Sequence, residues 1–332
     1  MYINFLLTEM TYLRYFMPLV LESQSRGIEC RMFICKSSKY TDPYRSKSTL
    51  EELKSKYKVD VKDVGYISKN PSEITFLLEG SGIEYIQYET TKVVLVGTLD
   101  FTVIYDSYIN SSDYVVFPSK FIAEYYNKIN DKNLYLGCPK YDVKLDRKDI
   151  LKKYSLDDNQ NALIVFPKLQ DLQKIDMNGI YNILHGMGYK IIVKTRGKDR
   201  IPTQFKGDHS FEDFSWFPHS SMELISVSDV VVNFDSATVK ECVMLRHPFI
   251  NFRVKNELNR FVGGEIPFNF LYNDDYCINF KNGFNASSFE DAVRTIVIKD
   301  CGDSFNFAIK KYMHEGNGTS KKILDELMKR RD

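Results

Sequence analysis

The segment Asp235-Ser236-Ala237-Thr238 follows an apolar run, 229–234, and opens a helix. A strand-to-helix turn of these residue types presents free backbone N–H groups, two hydroxyls and the positive end of a helix dipole. At the carboxyl end of a strand, such a turn is where open α/β sheets receive phosphate-bearing ligands. The plain alternative is a capped helix with no ligand. Glu241 falls one helical turn past Ser236, where it could reach a ribose hydroxyl or serve only as a first-turn acid favoured by the dipole. Metal chemistry has no comparable basis. Cys30, Cys35, Cys138, Cys242, Cys277 and Cys301 are scattered without a C-x-x-C pair, and the five histidines show no H-x-x-x-H spacing. Neither a zinc site nor a disulfide frame is expected, and the thiols read as reduced, in a cytoplasmic protein.

The elements that must position this turn follow from length and patterning. A chain of 332 residues is too long for one ordinary core and predicts about two domains. With 43% hydrophobic and 14% aromatic residues it has the material for folded cores. The 45 basic and 44 acidic side chains leave a net charge of +1, without the basic stripe of a nucleic-acid binder. The apolar N-terminus, 2–21, lacks a basic leader and is interrupted by Glu9 and Arg14. It therefore reads as neither signal peptide nor membrane span, and membrane contact is at most peripheral.

The first half alternates strand and helix. A strand over 2–7 precedes a polar turn at 8–11 and a helix whose Tyr12, Tyr15, Phe16, Leu19 and Val20 share one face. Strands follow at 30–35, 93–96, 113–117 and 133–136, with helices at 51–57 and 119–127 and a short buried segment at 73–78. This β-α-β opening predicts a parallel sheet with right-handed crossovers. The charged stretch 140–160 marks a boundary, after which the alternation restarts with strands at 162–166, 189–194, 229–234, 248 onward and 276–280. Helices are expected at 147–154, 177–187, 220 onward, 236 onward, 288–296 and 320–330. The expected division is a first domain over 1–145, a second over 146–315, and a C-terminal helix within 316–332 that can cross back to the first.

At this level the chain resembles GT-B glycosyltransferases, and within them two groups. Asp235-Ser236-Ala237-Thr238-Val239-Lys240-Glu241 resembles the D-S-G-G-x-x-E donor-phosphate turn of UDP-N-acetylglucosamine 2-epimerases and the D-S-S segment of CDP-glycerol glycerophosphotransferases, with Ala237 and Thr238 in place of the glycines. Val165-Phe166-Pro167-Lys168 is similar to their strand and proline loop, and Ile191-Ile192-Val193-Lys194-Thr195-Arg196 to their basic strand end. Glu315-Gly316-Asn317-Gly318-Thr319-Ser320 resembles their D-G-x-A-S turn before the last helix. Val116-Phe117-Pro118-Ser119 and Gly137-Cys138-Pro139-Lys140-Tyr141-Asp142 match landmarks of their first domain. The resemblance implies two Rossmann-like, doubly wound parallel-sheet domains facing a central cleft.

It also implies a reaction. Transfer from a nucleotide-diphosphate donor requires the departing diphosphate to be neutralised. Lys168, Lys194, Arg196, the turn at Asp235, Ser236, Ala237 and Thr238, Glu241, and Thr319 with Ser320 are the implied donor-binding set. No D-x-D occurs, so no metal and no resident cofactor are expected, the donor being a UDP-, GDP-, CDP- or CMP-linked sugar as substrate. The partner is a carbohydrate or lipid-linked glycan acceptor, as in polysaccharide biosynthesis. The glycerophosphotransferase motif H-G-T-x-x-K meets Val96-Gly97-Thr98-Leu99-Asp100-Phe101 here, with valine at the position of the basic histidine. A base must then come from a strand-end carboxylate, Glu9 or Asp100, with Asp106 behind them. The alternatives are a sugar-nucleotide 2-epimerase, a CDP-glycerol-type glycerophosphotransferase with a displaced base, and a non-catalytic sugar-nucleotide-binding subunit.

Overall fold

A computed structural model of the chain describes residues 1–35, 43–97, 106–195, 200–212, 216–254, 269–281, 283–314 and 318–330. They fall into two units, Met1–Val143 with Ser215–Pro218 and Lys310–Asp332, and Lys144–Phe214 with His219–Ile309.

The first unit is built on seven strands: β1 (Tyr2–Leu7), β2 (Glu29–Ile34), β3 (Asp60–Asp63), β4 (Ile74–Leu78), β5 (Thr91–Leu95), β6 (Tyr114–Phe117) and β7 (Asn133–Tyr135). All pair in parallel, in the order β3-β2-β1-β4-β5-β6-β7. The central strands are apolar throughout because both faces of a parallel sheet are covered; every residue of β4 is buried. Helices α1 (Leu13–Ser25), α2 (Pro43–Ser55), α3 (Asp106–Asn110) and α4 (Lys120–Tyr125) connect the strands. Phe5 of β1 stacks on Phe76 of β4 at 5.3 Å between ring centroids, and Phe16 of α1 meets the same cluster.

The second unit repeats the plan with β8 (Asn161–Val165), β9 (Lys190–Lys194), β10 (His209–Phe211), β11 (Val230–Asn233), β12 (Phe249–Phe252) and β13 (Cys277–Phe280). Its order is β10-β9-β8-β11-β12-β13, again parallel. Its helices are α5 (Arg147–Tyr154), α6 (Met177–Gly186), α7 (Ser220–Ser226), α8 (Val239–Met244), α9 (Ala286–Ile298) and α10 (Gly302–Ala308). Asp146, Asp176 and Asn285 cap α5, α6 and α9 through their side-chain oxygens. Ile164, Val193, Val232, Phe252 and Phe289 lie in the core of this unit. The chain then returns to the first unit with α11 (Thr319–Lys329), whose Ile323, Leu324 and Leu327 join the core beside α1.

Both sheets reverse strand order at one point, between β1 and β4 and between β8 and β11. In a doubly wound sheet the crevice for a ligand opens at that reversal, beyond the carboxyl ends of the two strands. The parallel sheets read from the alternation and the doubly wound domains implied by the resemblance are the ones observed. The differences lie at the margins: β3, β10, α3 and α10 were not anticipated, and α2 starts well before the expected 51.

Candidate functional site

In the second unit, the segments following β8, β9 and β11 leave three adjacent parallel strands at the same end of the sheet. β8 leads through Phe166-Pro167 to Lys168, an exposed residue that precedes a 3-10 helix, Leu169–Lys174. β9 ends on Lys194, which is only 5% exposed and donates from Nζ to the Thr195 carbonyl at 3.1 Å. β11 leads through Phe234 into the turn at Asp235. Arg196 lies outside the described residues.

The turn has a strained first residue. Asp235 adopts φ 46°, a left-handed conformation that L-residues with side chains rarely take. Three groups hold it there. Its N–H donates to Asn251 Oδ1 at 2.9 Å; its Oδ1 accepts from Asn251 Nδ2 at 3.0 Å and Arg253 Nη1 at 3.3 Å; its Oδ2 accepts from the Val254 N–H at 2.9 Å. The Asp235 carboxylate is thus engaged by the protein itself. Ser236 and Thr238 share a hydroxyl–hydroxyl bond of 3.2 Å, and the Thr238 N–H reaches Ser236 Oγ at 3.4 Å. No described residue accepts from the amides of Ser236 and Ala237. Ala237 is the one residue of the four that is not fully buried. Glu241, on α8, is buried and faces His219 Nδ1 at 3.6 Å.

Beneath the turn runs a feature that the sequence reading missed. The dipeptide Asn-Phe recurs as Asn233-Phe234, Asn251-Phe252 and Asn279-Phe280, and the three asparagines are Cα partners across β11, β12 and β13. Their side chains form a ladder: Asn233 Nδ2 to Asn251 Oδ1 at 3.0 Å, then Asn251 Nδ2 to Asn279 Oδ1 at 3.3 Å. On the opposite face the phenylalanines stack, at 5.5 and 4.8 Å between centroids. The dipeptide was visible in the sequence, which also carries it at Asn4, Asn269 and Asn306; that these three copies would fall in register was not.

Thr319 and Ser320 belong to the first unit. The amides of Gly318 and Thr319 donate to Asp142 Oδ1 at 2.9 and 3.1 Å, and that of Ser320 to Asp142 Oδ2. The carboxylate of the G-x-P-x-x-D landmark therefore occupies the end of α11 that the sequence reading had assigned to the donor.

At the reversal of the first sheet, Glu9 follows β1 and accepts from Thr11 Oγ1 at 3.2 Å. Thr8 Oγ1 and Ser81 Oγ lie 2.9 Å apart. Glu79, directly after β4, is buried, has φ 56°, and its Oε1 accepts from the Gly97 N–H at 2.8 Å. Burial pushes the Tyr12 phenol up; hydrogen bonds from Thr8 and Ser81 pull the other way, and Glu9 and Glu79 add to the rise. Glu79 was not among the expected acids, although an acid followed by Gly80-Ser81-Gly82 at a strand end was a usable signal. Asp106 is exposed and paired with Lys128 at 2.7 Å, and Asp100 lies outside the described residues. Among the described residues no group of three His, Cys, Asp or Glu side chains could hold a metal ion, and no helix is long and apolar enough to cross a membrane.

No family model and no curated protein sequence matches this chain. Solved structures do. The wall teichoic acid polymerase TagF is similar over 99% of this chain and 88% of its own, with 13% identity and a TM-score of 0.68. UDP-GlcNAc 2-epimerase from Methanocaldococcus jannaschii is similar over 99% of this chain and 100% of its own, at 13% identity and 0.63. The glycotransferase of kitacinnamycin covers 99% and 98%, at 8% and 0.60. What these likenesses establish is the fold: two doubly wound parallel-sheet domains of the GT-B type.

Proposed function

We propose that this chain is a GT-B-type glycosyltransferase that takes a sugar from a nucleotide-diphosphate donor and passes it to a hydroxyl of a glycan or glycolipid acceptor. The observation that carries this reading is the pair of amides, Ser236 and Ala237, that have no partner among the described residues, beyond the reversal point of the second sheet. Lys168 follows the neighbouring β8, and Lys194 ends β9, one strand further on. Anion recognition by fixed N–H dipoles, with cations at adjacent strand ends, is the chemistry that a departing diphosphate requires. Lys168, Lys194 and Arg196 would share its charge with Ser236, Ala237 and Thr238, so no metal need be essential. Glu241 would serve the ribose. In the transfer, the acceptor oxygen bonds to the anomeric carbon as the bond to the diphosphate breaks. The acceptor proton passes to a carboxylate of the first unit, with Glu9 as the candidate.

The second reading is a sugar-nucleotide 2-epimerase. It is favoured by Glu9 and Glu79 following the neighbouring strands β1 and β4, because moving a proton on and off a sugar carbon calls for more than one acid–base group. The two readings differ in product: an epimerised sugar nucleotide forms without any acceptor, whereas transfer needs one.

The first experiment is a thermal-shift screen with UDP-, GDP-, CDP- and CMP-linked sugars. A ligand at 100 times its Kd stabilises by about 2.7 kcal/mol, a shift of several degrees. Lys194→Ala is expected to abolish most of that shift while leaving the ligand-free Tm within a few degrees of the parent. A wild-type chain that responds to none of these ligands sinks the proposal.

A further inference from the structure

The turn at Ser236 is held by a residue that the donor reading does not use. Tyr272 Oη donates to the Ser236 carbonyl at 3.1 Å and accepts from Asn233 Nδ2 at 3.4 Å. Its ring packs edge-on against Phe249, and the Arg253 guanidinium lies 4.4 Å from its centre. Burial pushes the phenol far above its ordinary range, and the Asp235 carboxylate adds to the rise, so the hydroxyl stays protonated and remains a donor.

The Ser236 carbonyl belongs to the same peptide plane as the Ala237 N–H. In a trans peptide these two groups point to opposite sides. A hydrogen bond that draws the carbonyl towards Tyr272 therefore aims the Ala237 N–H away from it. That N–H is one of the two amides with no described partner, and Ala237 is the least buried residue of the turn. The preceding residue has no freedom to counter-rotate. Asn251 uses both lone pairs and both N–H groups: its Oδ1 accepts from Asp235 N and Asn233 Nδ2, and its Nδ2 donates to Asp235 Oδ1 and Asn279 Oδ1. Asn279 in turn donates to the Tyr272 carbonyl at 3.4 Å. The recognition element is one peptide plane, held by the Tyr272 hydroxyl beneath it and by the Val239 N–H of α8, which also donates to the Ser236 carbonyl, at 3.2 Å.

We propose that Tyr272 is a positioning residue for phosphate recognition: it orients the Ser236–Ala237 peptide so that the Ala237 N–H meets a phosphate oxygen of the bound diphosphate, with the Asn233-Asn251-Asn279 ladder holding both in place. This rests on the donor site proposed above.

The test uses Tyr272→Phe, which removes one oxygen and keeps the ring. Affinities for UDP, GDP, CDP, the matching monophosphates and inorganic pyrophosphate are measured by calorimetry on wild type and variant. The Ala237 amide resonance is followed by NMR during the pyrophosphate titration. The expected result is a variant that melts within a few degrees of wild type, loses on the order of tenfold in affinity for the diphosphate that wild type binds best, and loses much less for its monophosphate. A general loosening of the fold would reduce both alike, and that result, or an unchanged affinity, overturns the proposal. If the variant does not fold, the wild-type titration decides: an Ala237 amide that pyrophosphate does not shift refutes it. A wild-type chain that binds no diphosphate removes the donor site itself, which separates failure of that reading from failure of this one.

Discussion

Asp235 shows how one residue type can carry two opposite meanings. In the sequence it heads a phosphate-type turn, whereas in the structure its carboxylate is bound by Asn251, Arg253 and the Val254 N–H. Replacing it with alanine would leave the Val254 amide buried without an acceptor and the Arg253 cation, whose side chain is 15% exposed, without its carboxylate. Removing one partner of such a pair costs far more than the pair contributes, about 3–5 kcal/mol. Asp235→Ala is therefore expected to lower stability by about that amount in chemical denaturation, whereas Asp235→Asn, which keeps an acceptor oxygen, should cost clearly less. Equal losses for the two variants would show that the carboxylate is not what anchors the turn.

At the scale of elements, the second sheet's edge depends on a side chain that no strand contains. Asp208 Oδ2 accepts from the Ile191 N–H of β9 at 2.8 Å and from His185 Nε2 of α6 at 3.0 Å, just before β10 begins. Burial raises its carboxyl, but the Ile191 hydrogen bond and the His185 contact outweigh that and hold it below the ordinary 3.8. A depressed folded pKa contributes stability above the unfolded value and loses it as pH falls through the folded one. The Tm gap between wild type and Asp208→Asn should therefore be open at about pH 6 and close progressively below the ordinary carboxylate pKa; a gap independent of pH would contradict the assignment. The same region marks where sequence reading stops. β1, β4, β8, β11 and β12 are apolar runs buried on both faces and are readable as such. β3 is Asp-Val-Lys-Asp and β10 is His-Ser-Phe, short and polar as sheet edges are, and neither has a period to detect. The turn at Ser236 and the cations at strand ends were legible because local residue types create them. The Asp142 hold on α11 and the asparagine ladder were not, because each depends on register between segments distant in sequence.

On the scale of the whole chain, the last helix belongs with the first strands. α11 supplies Ile323, Leu324 and Leu327, each no more than 1% exposed, to the core that holds Phe5, Phe16 and Leu19. Its start is fixed by Asp142, and Arg26, at the end of α1, pairs with Asp325 at 2.7 Å. The second unit, with its own core around Ile164, Val232 and Phe289, shares none of these residues. Leu324→Ala opens a cavity in a fully buried site, at a cost of about 2–5 kcal/mol, and that cost falls on the first unit. The donor proposal puts nucleotide binding in the second unit, whose strands β8, β9 and β11 the substitution leaves untouched. Calorimetry of the full chain with and without the best-binding nucleotide should then show a lowered first-unit transition together with an undiminished nucleotide-induced shift. Loss of that shift in Leu324→Ala would mean that nucleotide binding also draws on the first unit, and the assignment of the donor site to the second unit alone would have to be given up.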